Sequence, residues 1–202
     1  GMTDMKVIGI TGGVGAGKSE ILKYLKEHCR CRIIMADLVA HQLEKPGQVC
    51  YDKLVGLLGT EILGADGQIE KSRMAAKIFQ QKELLQQVNA IVHPAVKEYI
   101  KDAIAKERAK GEIDVLFLEA ALLIEDGYES IVDELWYIHT DVEVRRSRLK
   151  SSRGYSDEKI DSIISGQLPE ETFYEHCQVV LENSGTLEDV YRQIDKELGE
   201  LL

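Results

Sequence analysis

Lys6-Val7-Ile8-Gly9-Ile10-Thr11-Gly12-Gly13-Val14-Gly15-Ala16-Gly17-Lys18-Ser19 is the stretch that decides the fold. Its first part, Lys6–Thr11, is an unbroken apolar run of the kind a strand shows when both of its faces are buried. Its second part, Gly12–Ser19, matches G-x-x-x-x-G-K-[ST] at every fixed position. Beyond it Ile21, Leu22, Leu25 and His28 recur at helical spacing, which predicts a helix over Lys18–His28. The motif thus sits between a buried strand and an amphipathic helix, the context its chemistry needs. Glycines permit positive φ and let successive amide N–H groups converge on phosphate oxygens without a Cβ in the way. The N-terminus of the helix adds its partial positive charge. Gly12, Gly13, Val14, Gly15, Ala16, Gly17, Lys18, Ser19 and the adjoining Glu20 are therefore the expected nucleoside-triphosphate residues. Lys18 is expected on the β- and γ-phosphates, and Ser19 on a magnesium ion.

Outward from this loop, short apolar runs alternate with longer amphipathic ones, the pattern of an α/β fold with a parallel sheet. Further strands are predicted at Arg32–Met35, Val115–Leu118, Leu135–His139 and Gln178–Leu181. Helices are predicted at Pro94–Lys110, Val142–Lys150, Asp157–Ser165 and Leu187–Leu198. Thr186, with Asp189 three residues on, marks the start of the last of these. Gly47–Asn89 breaks the alternation and carries helical pieces around Ser72–Phe79 and Lys82–Asn89. The expectation is one domain spanning 1–202, a three-layer fold with a five-stranded parallel sheet. A helical acceptor lobe is inserted at about 47–110 and a lid lies at about 147–167.

Composition narrows the function classes. The 202 residues are long enough for a sizeable core, and 44% hydrophobic with 30% charged residues is ordinary globular composition. A net charge of −10 argues against nucleic acid as a partner, which calls for clustered Lys and Arg. The first apolar run, Val7–Ile10, is too short for a secretory leader, and no stretch approaches a membrane span. Cys29, Cys31, Cys50 and Cys177 form no C-x-x-C pair and read as reduced thiols of a cytoplasmic protein. Gly1, ahead of Met2, is set aside. The guanine-reading N-K-x-D of GTPases is absent. Val115–Glu119 (VLFLE) is an apolar strand ending in a carboxylate, and Glu119 is the candidate second magnesium-side acid.

Five further segments carry a resemblance to dephospho-CoA kinases. Ile34–His41 (IMADLVAH) resembles that family's D-A-D-x-x-A-[RH], and Val92-His93-Pro94 its L-H-P. Ala121–Glu125 (ALLIE) resembles its P-L-L-[FIV]-E. Ile163–Gln167 and Val180–Gly185 resemble its I-x-x-Q and V-I-x-N-x-G. The ordered set runs from about Lys6 to Leu198. The resemblance implies transfer of the γ-phosphoryl group of ATP to the ribose 3′-hydroxyl of dephospho-CoA, a small-molecule acceptor, with Mg²⁺. It implies Asp37 as the group that accepts the hydroxyl proton, and His41, His93, Leu122 and Gln167 on the acceptor side. It also implies a lid whose arginines, Arg148 and Arg153, meet the transferring phosphates. A helix-capping Asp37 and a helix-capping His93 are the structural alternatives for those two residues.

The chain departs from the family pattern at Glu20, Met35, Ala121 and Glu119, and in the lid, which reads Ser152-Arg153-Gly154-Tyr155-Ser156. Val144 or Arg145 stands where the family has a lid-helix Gln. Arg145 and Arg146 are expected on a solvated helix face. Kinases of another small hydroxyl compound, such as a nucleoside or a sugar acid, and a nucleotide-binding regulatory protein stay open beside the leading reading.

Overall fold

The computed structural model describes residues 4–202, so Gly1 lies outside it. Five strands form one parallel sheet in the order β2-β3-β1-β4-β5. They are β1 (Lys6–Gly12), β2 (Cys31–Met35), β3 (Val115–Glu119), β4 (Glu134–His139) and β5 (Val179–Glu182). Every residue of β3 is buried, and so is every residue of β1 after Lys6, which is why both read as continuous apolar runs. Phe117 of β3 and Trp136 of β4 are wholly buried, with ring centroids 5.7 Å apart. The register brings Ile10 opposite Glu119 and Gly12 opposite Ile138. The C-terminal ends of β1, β3 and β4 therefore meet at one edge, where ligands bind in open α/β sheets.

The helices are α1 (Lys18–His28), α2 (Ala36–Leu43), α3 (Tyr51–Leu58), α4 (Lys71–Gln80), α5 (Glu83–Lys110), α6 (Val142–Arg153), α7 (Asp157–Ser165), α8 (Glu170–His176) and α9 (Leu187–Leu201). Helix α1 buries Ile21, Leu22 and Leu25, and α9 buries Val190, Ile194 and Leu198 at four-residue spacing. The Thr186 side chain accepts from Asp189 N–H, the N-cap expected from sequence.

The chain divides into two compact units. One comprises residues up to Ile33 together with Lys106–Leu202 and holds β1, α1, β3–β5 and α6–α9. The other is Ile34–Ala105, where an acceptor lobe was expected over about 47–110. Two expected helices, around Lys82–Asn89 and Pro94–Lys110, are one helix of 28 residues, with Pro94 inside it. Proline lacks one N–H and usually marks a helix start or break, which is why sequence divided this segment. His93 is consequently not an N-cap; it lies within α5. Helices α3 and α8 went unforeseen.

Candidate active site around the phosphate loop

The loop Gly12–Ser19 leaves β1 and enters α1 through Gly17, whose φ is +88°. A Cβ at Gly17 would collide with Asn183 Nδ2, so this position needs glycine for both its backbone angle and its space. The neighbouring carbonyl, that of Ala16, is held from several sides. Asn183 Nδ2 donates to it at 2.8 Å, and the Thr140 hydroxyl lies 3.0 Å from it and 3.2 Å from Asn183 O. Asn183 N in turn donates to His139 O at 2.8 Å, and Arg148 Nη2 to Asn183 O at 2.8 Å. Asn183 and Thr140 are both buried. The ends of β4 and β5 thereby clamp the loop from behind. Sequence reasoning quoted Asn183 only as part of a family stretch and passed over Thr140; a polar residue directly after each apolar strand is the signal that could have found both.

Thr11 Oγ1, one residue before the loop, and Asn183 Oδ1 are the buried side-chain atoms without a hydrogen-bond partner among the described residues. Both orphans flank the loop. Buried polar groups are otherwise satisfied almost without exception, so their position beside a ligand-shaped loop is informative.

Lys18 Nζ donates to Glu119 Oε1 at 3.0 Å, and both side chains are largely buried, 18% and 8% exposed. The lysine of the motif and the acid at the end of β3 thus stand together at the sheet edge. Ser19 and Glu20 open α1 and are exposed. In front of the loop lies a cavity of about 410 Å³, lined by Gly13–Ser19 and by Arg148, Leu149, Ser151, Ser152 and Arg153 of α6. Of the two lid arginines expected here, Arg148 reaches main-chain oxygens, lying 3.4 Å from those of Gly15 and Ala16. Arg153 ends α6, exposed, with its guanidinium 5.9 Å from the Tyr155 ring.

Arg145 and Arg146 separate sharply. Arg146 is held by Asp157 and Asp161 of α7 at 2.9 and 2.6 Å, an ion-pair cluster bracing α6 against α7. Arg145 corrects the expectation of a solvated face: it is buried. Its Nε donates to Val14 O at 3.0 Å, and its Nη2 to Gln167 Oε1 at 2.6 Å. A helical face turned toward the loop, not charge pattern, decided this, and the pattern alone carried no sign of it. Gln167, expected on the acceptor side, hydrogen-bonds Arg145 of α6.

His139, the last residue of β4, is buried between Glu182 (2.6 Å to Nδ1) and Glu170 (2.9 Å to Nε2). Burial alone would lower its pKa, but the two carboxylates outweigh it and hold the imidazole above the ordinary histidine value.

Leu122 stands exposed in the turn after β3, while the adjacent Leu123 is wholly buried. In the other unit, Asp37 is exposed in the first turn of α2, two residues beyond the end of β2. That helix starts at Ala36 with Met35 as N-cap and no side-chain cap, so Asp37 does not cap it. His41, in the last turn of α2, is exposed and borders a small cleft with Glu44, Lys45, Gln68, Ile69 and Lys71.

The sequence model of one family, described as dephospho-CoA kinase, matches residues 6–189. The chain belongs to the dephospho-CoA kinase family. A dephospho-CoA kinase of Carboxydothermus hydrogenoformans is 35% identical over 193 residues, covering 96% of this chain and 93% of that protein. Among solved structures, TT1252 from Thermus thermophilus superposes with a TM-score of 0.83 at 28% identity, covering 99% and 100% of the two chains. A dephospho-CoA kinase from Campylobacter jejuni shares the fold, with a TM-score of 0.73 at 18% identity over 96% of each chain. The family match covers nearly all of the span over which the motif order was legible, ending at residue 189. Among the described residues, no helix is long and apolar enough to cross a membrane.

Proposed function

We propose that the protein phosphorylates the ribose 3′-hydroxyl of dephospho-CoA with ATP, the chemistry of the family to which it belongs. The observation that carries this reading is the joint presence of an ordered phosphate loop, its Lys18–Glu119 pair and a family match along nearly the whole chain. Phosphoryl transfer asks the protein for positioning and charge stabilisation more than for covalent chemistry. The amides of Gly13–Ser19 and the N-terminus of α1 cradle the phosphates, and Lys18 turns from Glu119 to the β- and γ-phosphates. Asp37, an exposed carboxylate just past β2, accepts the proton of the attacking hydroxyl.

Ser19 and Glu119 are the residues that would hold a magnesium ion. A hydroxyl and a carboxylate are the hard oxygen donors that ion takes, and Glu119 stands beside the loop. When bound, the ion supplies neutralising charge to the phosphate oxygens. His41, His93 and Leu122 serve the acceptor, whose pantetheine arm gives binding energy remote from the reacting hydroxyl. Arg148 and Arg153 face the nucleotide across the cavity, and closure of the lid keeps water from competing.

The test is ADP formation by purified protein with Mg·ATP and a panel of acceptors. The expected result is strong stimulation by dephospho-CoA and weak stimulation by adenosine, which has the ribose without the arm. Stimulation by adenosine or a sugar acid, with none by dephospho-CoA, would overturn the acceptor.

A further inference from the structure

A cation buried in a fold is costly unless it is paired or fully hydrogen-bonded. Arg145 is 7% exposed, and its guanidinium donates to neutral oxygens: the Val14 carbonyl and the side-chain amide of Gln167. Among the described residues no carboxylate forms an ion pair with it, whereas Arg146 beside it pairs with Glu143, Asp157 and Asp161. The guanidinium also lies so close under Gly13 that a Cβ there would clash with its Nη2 and Cζ. Arg148, one turn along the same helix, likewise donates to main-chain oxygens around the loop. Helix α6 therefore docks on the phosphate loop through two arginines, where uncharged amides could have satisfied the same carbonyls. Burial penalises a charge in this place and the nearby Glu170 carboxylate offsets that only in part, so it gains further compensation when a polyanion arrives on the other side of the loop.

We propose that Arg145 is a positioning residue for nucleotide binding: it fixes the Val14 carbonyl, ties Gln167 to the loop, and lends the loop a positive charge that favours a triphosphate over a diphosphate. This rests on reading Gly12–Ser19 as the nucleotide site, though not on the identity of the acceptor. The same placement accounts for Gln167: the stretch that follows α7 is held to the phosphate loop through Arg145, so bound nucleotide and lid position are linked.

The experiment is calorimetric titration of ATP and of ADP, without acceptor, into wild type, Arg145→Gln, Arg145→Lys and Gln167→Ala, with thermal unfolding measured in parallel. Loss of a charge-assisted hydrogen bond and of the charge should weaken ATP binding by Arg145→Gln about tenfold. The loss for ADP should be smaller. Arg145→Lys, which keeps the charge without the planar fork, should recover part of the ATP affinity. Gln167→Ala should weaken it by roughly twofold to threefold, since the charge stays. In turnover, Arg145→Gln should raise KM for ATP and leave kcat at saturating ATP close to wild type. A folded Arg145→Gln that binds ATP like wild type overturns the proposal. An Arg145→Lys no better than Arg145→Gln overturns the role of the charge. If Arg145→Gln does not fold, wild-type ATP affinity in both Arg145→Lys and Gln167→Ala overturns it equally. Because no acceptor is present, failure of dephospho-CoA as substrate would leave these affinities untouched, so the two readings fall separately.

Discussion

In the phosphate loop one carbonyl, that of Ala16, accepts from Asn183 Nδ2 and lies within 3.4 Å of Arg148 and 3.0 Å of the Thr140 hydroxyl. In the unit Ile34–Ala105, by contrast, Asp37 and His41 stand exposed on a single short helix. The difference suits the role proposed for each region. Binding phosphate through backbone amides demands one fixed backbone shape, so the protein surrounds the loop with buried donors and leaves no room for a Cβ at Gly17. In the proposed reaction Asp37 has only to come within hydrogen-bond reach of a substrate hydroxyl, and in the first turn of α2 it stands exposed.

The largest expected effect sits in the sparsely tied region. Asp37→Asn keeps shape and hydrogen bonding but cannot take the proton, so kcat should fall by about 10²–10⁴-fold with ATP affinity unchanged. Steady-state rates together with direct ATP titration check this; a fall in ATP affinity with kcat intact would make Asp37 a nucleotide-side residue. Lys18→Ala should lower turnover by about 10²–10³-fold and, unlike Asp37→Asn, should weaken ATP binding as well. It also leaves Glu119 buried without its partner, so some loss of stability should accompany it.

A pair of glycines sharpens the contrast. Gly17 and Gly47 have φ of +88° and +84°, one in each unit. Alanine at either position costs roughly 1–3 kcal/mol of backbone strain. At Gly47 the added Cβ meets nothing within 4 Å, whereas at Gly17 it meets Asn183. Gly47→Ala should therefore lower the unfolding temperature by a few degrees and keep ATP affinity. Gly17→Ala should lose both, with ATP binding weaker by about tenfold or more. Equal ATP affinities in the two variants would mean that the Asn183 contact does not shape the loop.

The smallest effect is a pH dependence at the clamp. His139 has its pKa raised in the folded state by Glu182 and Glu170. Its contribution to stability is then full below the unfolded histidine value of about 6.5 and is lost as pH rises through the folded value. The unfolding temperature of wild type minus that of His139→Gln should shrink by a few degrees on going from pH 6 to pH 8.5. A difference that is flat or grows over that range contradicts the charged clamp.

Much of the phosphate side was legible in sequence because its constraints are local. Glycines at fixed offsets, a lysine and serine opening a helix, and an apolar run ending in Glu119 each have one physical reason to be there. Helix α1 and helix α7 have the limits the periodicity gave them. The tertiary clamp was not legible in the same way. Nothing near Arg145 in sequence distinguishes it from Arg146, yet one is buried on Val14 and the other pairs with two aspartates. Asn183 and Thr140 come from strand ends far along the chain and matter only because the parallel sheet brings them behind Ala16. Pro94 misled for the opposite reason: its local rule is strong, but the surrounding 28-residue helix overrides it. On the acceptor side, Asp37, His41, His93 and Leu122 were marked by family resemblance alone, since no spacing rule singles them out.

The central claim, that this loop delivers the γ-phosphoryl group to the 3′-hydroxyl of dephospho-CoA, is tested most directly by following the group itself. ATP labelled in its γ-phosphate is incubated with the protein and dephospho-CoA, and the labelled product is separated and identified. The expected result is label recovered in coenzyme A, on the ribose 3′-phosphate, and absent from that product with Lys18→Ala. Label found only in inorganic phosphate, or on another acceptor supplied in the same mixture, would contradict the claim.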